Sequence, residues 1–328
     1  MKLRSLVLVT VAMLGCTASS QTSHQTETCI QVLKDVAVCD DFWVKVHAVE
    51  YLIESGFRED ADALIKTGLA SFQNEPQKRI GYWRASYLNA SHEAEKQGWL
   101  DRIKRAYLDT TGPDRIHAAE TLAKLSYSFL HFGPNPVQND QAGGGVLADF
   151  VRWGMALPKE PSQPVAYDSL LAAVRSTNQT SRKLAAYALG FIGALPAHQW
   201  PVLAQAALDE PDQSEAAAYL LSTAYALAPT PIEKQADVLN RIRQRLLTLQ
   251  NSDRKADRIE LCRALARKGT TDDVSLLLRY LNLENRIETV SDTTKSVHAR
   301  DHPQNLDVQA AAAYALLQLE KRARSADI

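Results

Sequence analysis

Little in this chain of 328 residues favours a β-sheet. Alternating β-branched runs, the mark of half-buried strands, are nearly absent, and Ala and Leu dominate at helical spacing. Proline and glycine fall between the helical runs, as "EP" at 75, "GP" at 112, "LP" at 195, "EP" at 210 and "APTP" at 228. The chain therefore reads as all-α. An excess of either charge is also missing: the formal net charge is −1. Phosphate binding needs a basic surface, so nucleic acid is excluded as the main partner. No segment is apolar enough, over enough residues, to cross a membrane as a helix. A nucleophile elbow, a phosphate loop and a paired-cysteine metal pattern are all lacking. The sequence thus marks no catalytic residue and implies no cofactor.

What is present begins with an address. "MKLRSLVLVTVAMLGCTASS" carries Lys2 and Arg4 ahead of an apolar run from Leu6 to Leu14, the size of a signal h-region. It resembles a bacterial lipoprotein signal ending at Gly15-Cys16, although Met13 replaces the usual Leu. The resemblance implies a signal peptide over 1–15, a lipid on Cys16 and a cell-envelope location. Thr17 after the cysteine points to the outer membrane. An ordinary secretory signal is the alternative. Residues 16–28 are polar and aperiodic and read as the lipidated cysteine with a flexible tether. Three cysteines then remain. Were 29–39 one helix, Cys29 and Cys39 would stand roughly 15 Å apart, beyond bridging distance. Cys262 falls in an apolar helical stretch and reads as a small core residue.

The remainder, 29–328, repeats. With His47 as an anchor, a small residue follows at the next place and Leu five on. The frame recurs at His117, Leu184, Ala216 and Ala311, and more loosely at Arg84 and Glu260. One degenerate unit is expected near Leu147-Ala148. Spacing mostly in the thirties signals stacked helix pairs. The small place lets one helix backbone approach its neighbour, and the Leu fills the core. "SRKLAAYALGFIGALP" at 181–196 resembles the short HEAT-like repeat first described in phycobilin lyases, and "DRIHAAETLAKL" and "VQAAAAYALLQL" are similar. A tetratricopeptide array has the right period but not the right residues. The resemblance implies an α-solenoid of stacked antiparallel helix pairs and a binding habit. It carries over no catalytic residue. Stretches near 131–146 and 284–307 break the period and read as loop insertions. The second gathers His298, Arg300, Asp301 and His302.

Three places after each anchor the residue is never aliphatic: Glu50, Tyr87, Glu120, Tyr187, Tyr219, Arg263 and Tyr314. At the anchor itself stand His47, Arg84 and His117. With Trp43, these residues form a candidate concave binding face comprising Trp43, His47, Glu50, Arg84, Tyr87, His117, Glu120, Tyr187 and Tyr219. Such a face suits a protein or a polar or anionic ligand, with Arg84 as the anion contact and aromatic faces for a glycan. The bland alternative is a solvated stripe of cross-unit pairs. His47–Glu50 and His117–Glu120 each have metal-ligand spacing, but units stacked about 10 Å apart keep the two pairs from sharing an ion. No metal is expected. The expectation is an envelope-anchored binding or scaffolding module. The alternative is an enzyme or accessory subunit acting on extracellular polysaccharide. A chromophore lyase or chaperone would conflict with export. Inward residues converging on one closed pocket would favour the enzyme, and an open groove would favour the scaffold.

Overall fold

The computed structural model describes residues 24–230, 235–281 and 303–326. The signal segment, Cys16, the tether before residue 24 and the His298–His302 cluster lie outside them. The described chain is helical, without a strand. Helix α1 covers residues 24–36, followed by α2 (Phe42–Ser55), α3 (Arg58–Thr67), α4 (Lys78–Asn89), α5 (Glu93–Leu108), α6 (Arg115–Lys124), α7 (Pro134–Ala142) and α8 (Gly145–Ala156). Beyond these come α9 (Tyr167–Ala173), α10 (Gln179–Ile192), α11 (Trp200–Asp209), α12 (Ala217–Ala226), α13 (Ala236–Thr248), α14 (Lys255–Lys268), α15 (Val274–Leu281) and α16 (Pro303–Ala326).

Local chemistry sets the ends of the inner helices. Asp41 caps α2 by accepting from the amides of Trp43 and Val44, and Gly56 ends it in the left-handed region at φ 98°. Asn178 caps α10 through the Ser181 amide, and Gly193 closes it at φ 76°. Inside the helices the repeat frame holds. The small places Ala48, Ala85, Ala118, Ala185, Ala217 and Ala312 are buried, as are Leu52, Leu122, Leu189, Leu221, Leu265 and Leu316 at the core place. The degenerate unit is α8, where Leu147 and Ala148 were expected to lie. There Phe129 lies so close over Gly154 that a Cβ would fall 2.3 Å from its ring.

Even-numbered helices pack side by side in order from α2 to α16, and most odd-numbered ones flank them outside. Repeats that stack with a constant turn either leave two free ends or return on themselves. Here they return, for α16 packs against α2. Tyr51 of α2 stacks on Tyr314 of α16 with ring centroids 4.5 Å apart. His47 Nδ1 lies 3.2 Å from a carboxylate oxygen of Asp307, which also meets Lys255 at 3.2 Å. The solenoid is thus a closed ring, and the face read as concave is its interior.

Two expectations about irregular stretches are corrected. The loop expected at 131–146 contains α7, because Pro134 and Pro136 sit in a first turn that needs no amide donors from them. Asp140 fixes α7 by accepting from the Tyr107 hydroxyl at 2.8 Å and pairing with Arg115 at 2.6 Å. The tether expected to reach residue 28 is helical from residue 24, with Cys29 and Leu33 of α1 buried in the core. Cys29, Cys39 and Cys262 are free thiols. Helix α1 ends at 36, so Cys39 lies on the turn into α2, and not on one long helix with Cys29.

Candidate functional site

A stripe on each inner helix faces the centre of the ring. Residues three and four apart lie on one helical face, so a stripe continues at the seventh place. In α2 it runs His47, Glu50, Tyr51 and Glu54, and in α14 it runs Glu260, Arg263 and Arg267. With contributions from α4, α6, α10, α12 and α16, these stripes enclose a cavity of about 290 Å³. Its apolar wall includes Leu88, Leu125, Phe191 and Ala226. Its aromatic wall is the Tyr51–Tyr314 stack together with Tyr187. Gly190 of α10 lets α12 come close, since a Cβ there would sit 3.1 Å from the Thr223 hydroxyl.

Most charges in this interior are matched. Arg84, buried on α4, donates to the Glu50 carboxylate and reaches the Thr121 hydroxyl at 3.2 Å. Burial opposes the charge on Arg84, but Glu50 outweighs it and raises its pKa. Lys124 meets Glu120 at 2.7 Å, and Glu120 also accepts from the Tyr187 hydroxyl at 3.2 Å. Burial alone would raise the Glu120 pKa; Lys124 and Arg84 instead hold it down to about 2. Burial lowers the pKa of Lys124, against the pull of Glu120. Arg263 pairs with Glu260 at 2.6 Å, and Glu260 accepts from Ser222 at 2.8 Å.

Two charges are not matched. Arg267 forms no hydrogen bond and no ion pair with any described residue. Glu54 likewise has no cation within ion-pair distance among the described residues, and its neighbour is the Tyr314 hydroxyl. Both are exposed to the interior of the cavity. Surrounding protein raises the Glu54 pKa, with Glu50 adding to the effect and Tyr314, Arg263 and Arg267 opposing it. Surrounding protein lowers that of Arg267. The Tyr51 hydroxyl is buried without a hydrogen-bond partner and sits in the field of Arg263. Burial pushes its pKa up to about 12.

Of the residues expected on the binding face, His47, Glu50, Arg84 and Tyr187 reach the cavity. Glu120 stands behind its wall, bonded to Lys124 and Tyr187. Tyr219 packs edge-on against Tyr187 at 6.1 Å. Trp43 and His117 stack on one another at 4.9 Å, outside the cavity lining. Tyr87 is half-buried, in the field of Glu93 on an outer helix, and does not line the cavity. The candidate face left out Glu54, Lys124, Phe191, Thr223 and Arg267, which stand on or beside the cavity. All five stand seven places after an anchor, so extending the stripe by one more turn finds them. Among the described residues no group of three or more His, Cys, Asp and Glu is placed to hold a metal ion. No protein-family model and no curated protein matches the chain.

Proposed function

We propose that this protein is a binding module of the cell envelope whose site is the interior of the helical ring, where it takes a small polar molecule. One observation carries the reading: the inward stripes converge on a single cavity of about 290 Å³. That is the volume of on the order of ten waters. A compact small molecule fits it, whereas a protein partner would need the long open groove that ring closure removes. The repeats are HEAT-like, bent to closure, and the lipid on Cys16 would hold the ring at the membrane surface.

A second reading, an enzyme acting on a glycan, is favoured by the same convergence, which was expected of an enzyme rather than of an open scaffold, and by one further observation. Glu54 is a carboxyl of raised pKa beside the Tyr314 hydroxyl, in a partly enclosed site.

Native mass spectrometry of protein isolated from envelope membranes tests the binding reading. Ala226 lines the cavity, and Ala226→Trp should fill it. A small-molecule adduct on the parent that the variant lacks is the expected result. A protein partner captured equally by both forms, with no small adduct on either, would overturn the reading. Cys16→Ala should release the protein from the membrane fraction, and unchanged retention would refute the anchor.

A further inference from the structure

The charges around the cavity divide into those already satisfied and those left over. Arg84 has Glu50, Lys124 has Glu120 and Arg263 has Glu260. Each of these cations already has its carboxylate, so a ligand anion drawn to it would bring a second negative charge beside the first. What remains among the described residues of the lining is one cation, Arg267 on α14, and one anion, Glu54 on α2. They feel each other's field but stand too far apart to pair. Tyr314 lies within the field of both. A site with one free charge of each sign is complementary to a ligand that carries both. A neutral sugar would leave the two charges unpaired, and a simple anion or cation would leave one.

The rest of the lining narrows the class. Next to the free charges lie the stacked faces of Tyr51 and Tyr314, which favour a cation in contact with them. Leu88, Leu125, Phe191 and Ala226 give the cavity an apolar side, and Phe191 is among the exposed apolar side chains. Resting on the reading of the ring interior as a binding site, we propose that the ligand is a free α-amino acid with an apolar side chain. Its carboxylate meets the Arg267 guanidinium and its ammonium meets the Glu54 carboxylate against the Tyr314 ring. The side chain lies on the Phe191 wall.

Isothermal titration with L-phenylalanine and L-leucine tests this, beside two analogues that each lack one charge. N-acetyl-L-phenylalanine has no ammonium, and L-phenylalanine amide has no carboxylate. Saturable binding of at least one free amino acid is expected, with each analogue of that ligand weaker by roughly tenfold or more, as for a lost charged hydrogen bond. Arg267→Gln should abolish the preference for acid over amide, and Glu54→Gln the preference for free over acetylated amine. Because both side chains face solvent in the cavity, neither variant should unfold the ring, and an unchanged melting temperature checks this. No binding of either amino acid would overturn the proposal, as would analogues that bind equally well. If a native small-molecule adduct that Ala226→Trp removes is found all the same, the cavity reading survives and the zwitterion is wrong. If no such adduct exists, both fall.

Discussion

At the scale of single residues, burial decides which charges are structural. Arg84 stands at the place where an anion contact was expected, yet it is 3% exposed and bound to Glu50 and Thr121. Removing one partner of a buried pair strands the other. Arg84→Ala should therefore lower unfolding stability by about 3–5 kcal/mol in urea titrations. The double change Arg84→Met with Glu50→Leu should recover most of that loss. A cost for Arg84→Ala near that of a surface pair, about 0–1 kcal/mol, would show that the pair is solvated. The carboxylates carry a pH signature of known sign. Asp307 ordinarily titrates at 3.8 and is held down to about 2 in the fold: burial pushes upward, and His47 and Lys255 outweigh it. Its folded pKa lies below its unfolded one, so its contribution is complete above about pH 5 and is lost as pH falls toward 2. The difference is worth ~2 kcal/mol. Asp307→Asn should lower stability at pH 7 by at least that amount and flatten the loss between pH 5 and 2. An acid limb as steep as the parent's would contradict this.

At the scale of the helix, the sequence was legible where each unit repeats a steric demand. Ala217 sits where α12 meets its neighbours and is fully buried, so Ala217→Leu should overpack the contact. A loss of about 1–3 kcal/mol in thermal or urea unfolding is expected, and no loss would mean the small place is not a contact. Gly193→Ala tests a different demand. Its φ of 76° is strained for a side chain, and the change should cost about 1 kcal/mol. Helix α7 was not legible, for a physical reason. Its proline- and asparagine-rich composition, followed by three glycines, favours turns, and tertiary contacts hold it helical: Val137 is buried in the core, and Asp140 takes Tyr107 and Arg115. At the anchor and three places on, the frame leads to His47, Arg84, Glu50 and Tyr187 on the cavity, but also to His117, Tyr87, Glu120 and Tyr219, which do not line it. The two free charges stand at the seventh place, outside the candidate face. No local rule tells a paired from an unpaired charge: Arg84, Lys124, Arg263 and Arg267 look alike in sequence. Partners on neighbouring helices, such as Glu50 for Arg84, distinguish them.

At the scale of the molecule, closure is the feature no single unit encodes. It is the sum of the turns between successive pairs, and its contacts join residues at opposite ends of the chain. Asp307 belongs to a stretch whose sequence reads as loop, yet it reaches His47 in the first inner helix. An open solenoid unfolds from its ends, since each unit rests on nearest neighbours alone. In a ring α2 has an inner neighbour on both sides, α4 and α16. Loosening that seam should then be felt far from it. Tyr314→Ala removes the stack on Tyr51, and Asp307→Ala removes the partner of His47 and Lys255. In the double variant, amide hydrogen exchange should quicken in α2 as well as in α16, while α8, across the ring, keeps most of its protection. Quickening confined to α16 would mean that α2 needs no support from it and that the seam is only a contact between two independent ends. Exchange spread through α2 would show closure to be part of the fold's stability. The cavity, whose wall on one side is that seam, would then depend on helices that stand at opposite ends of the chain.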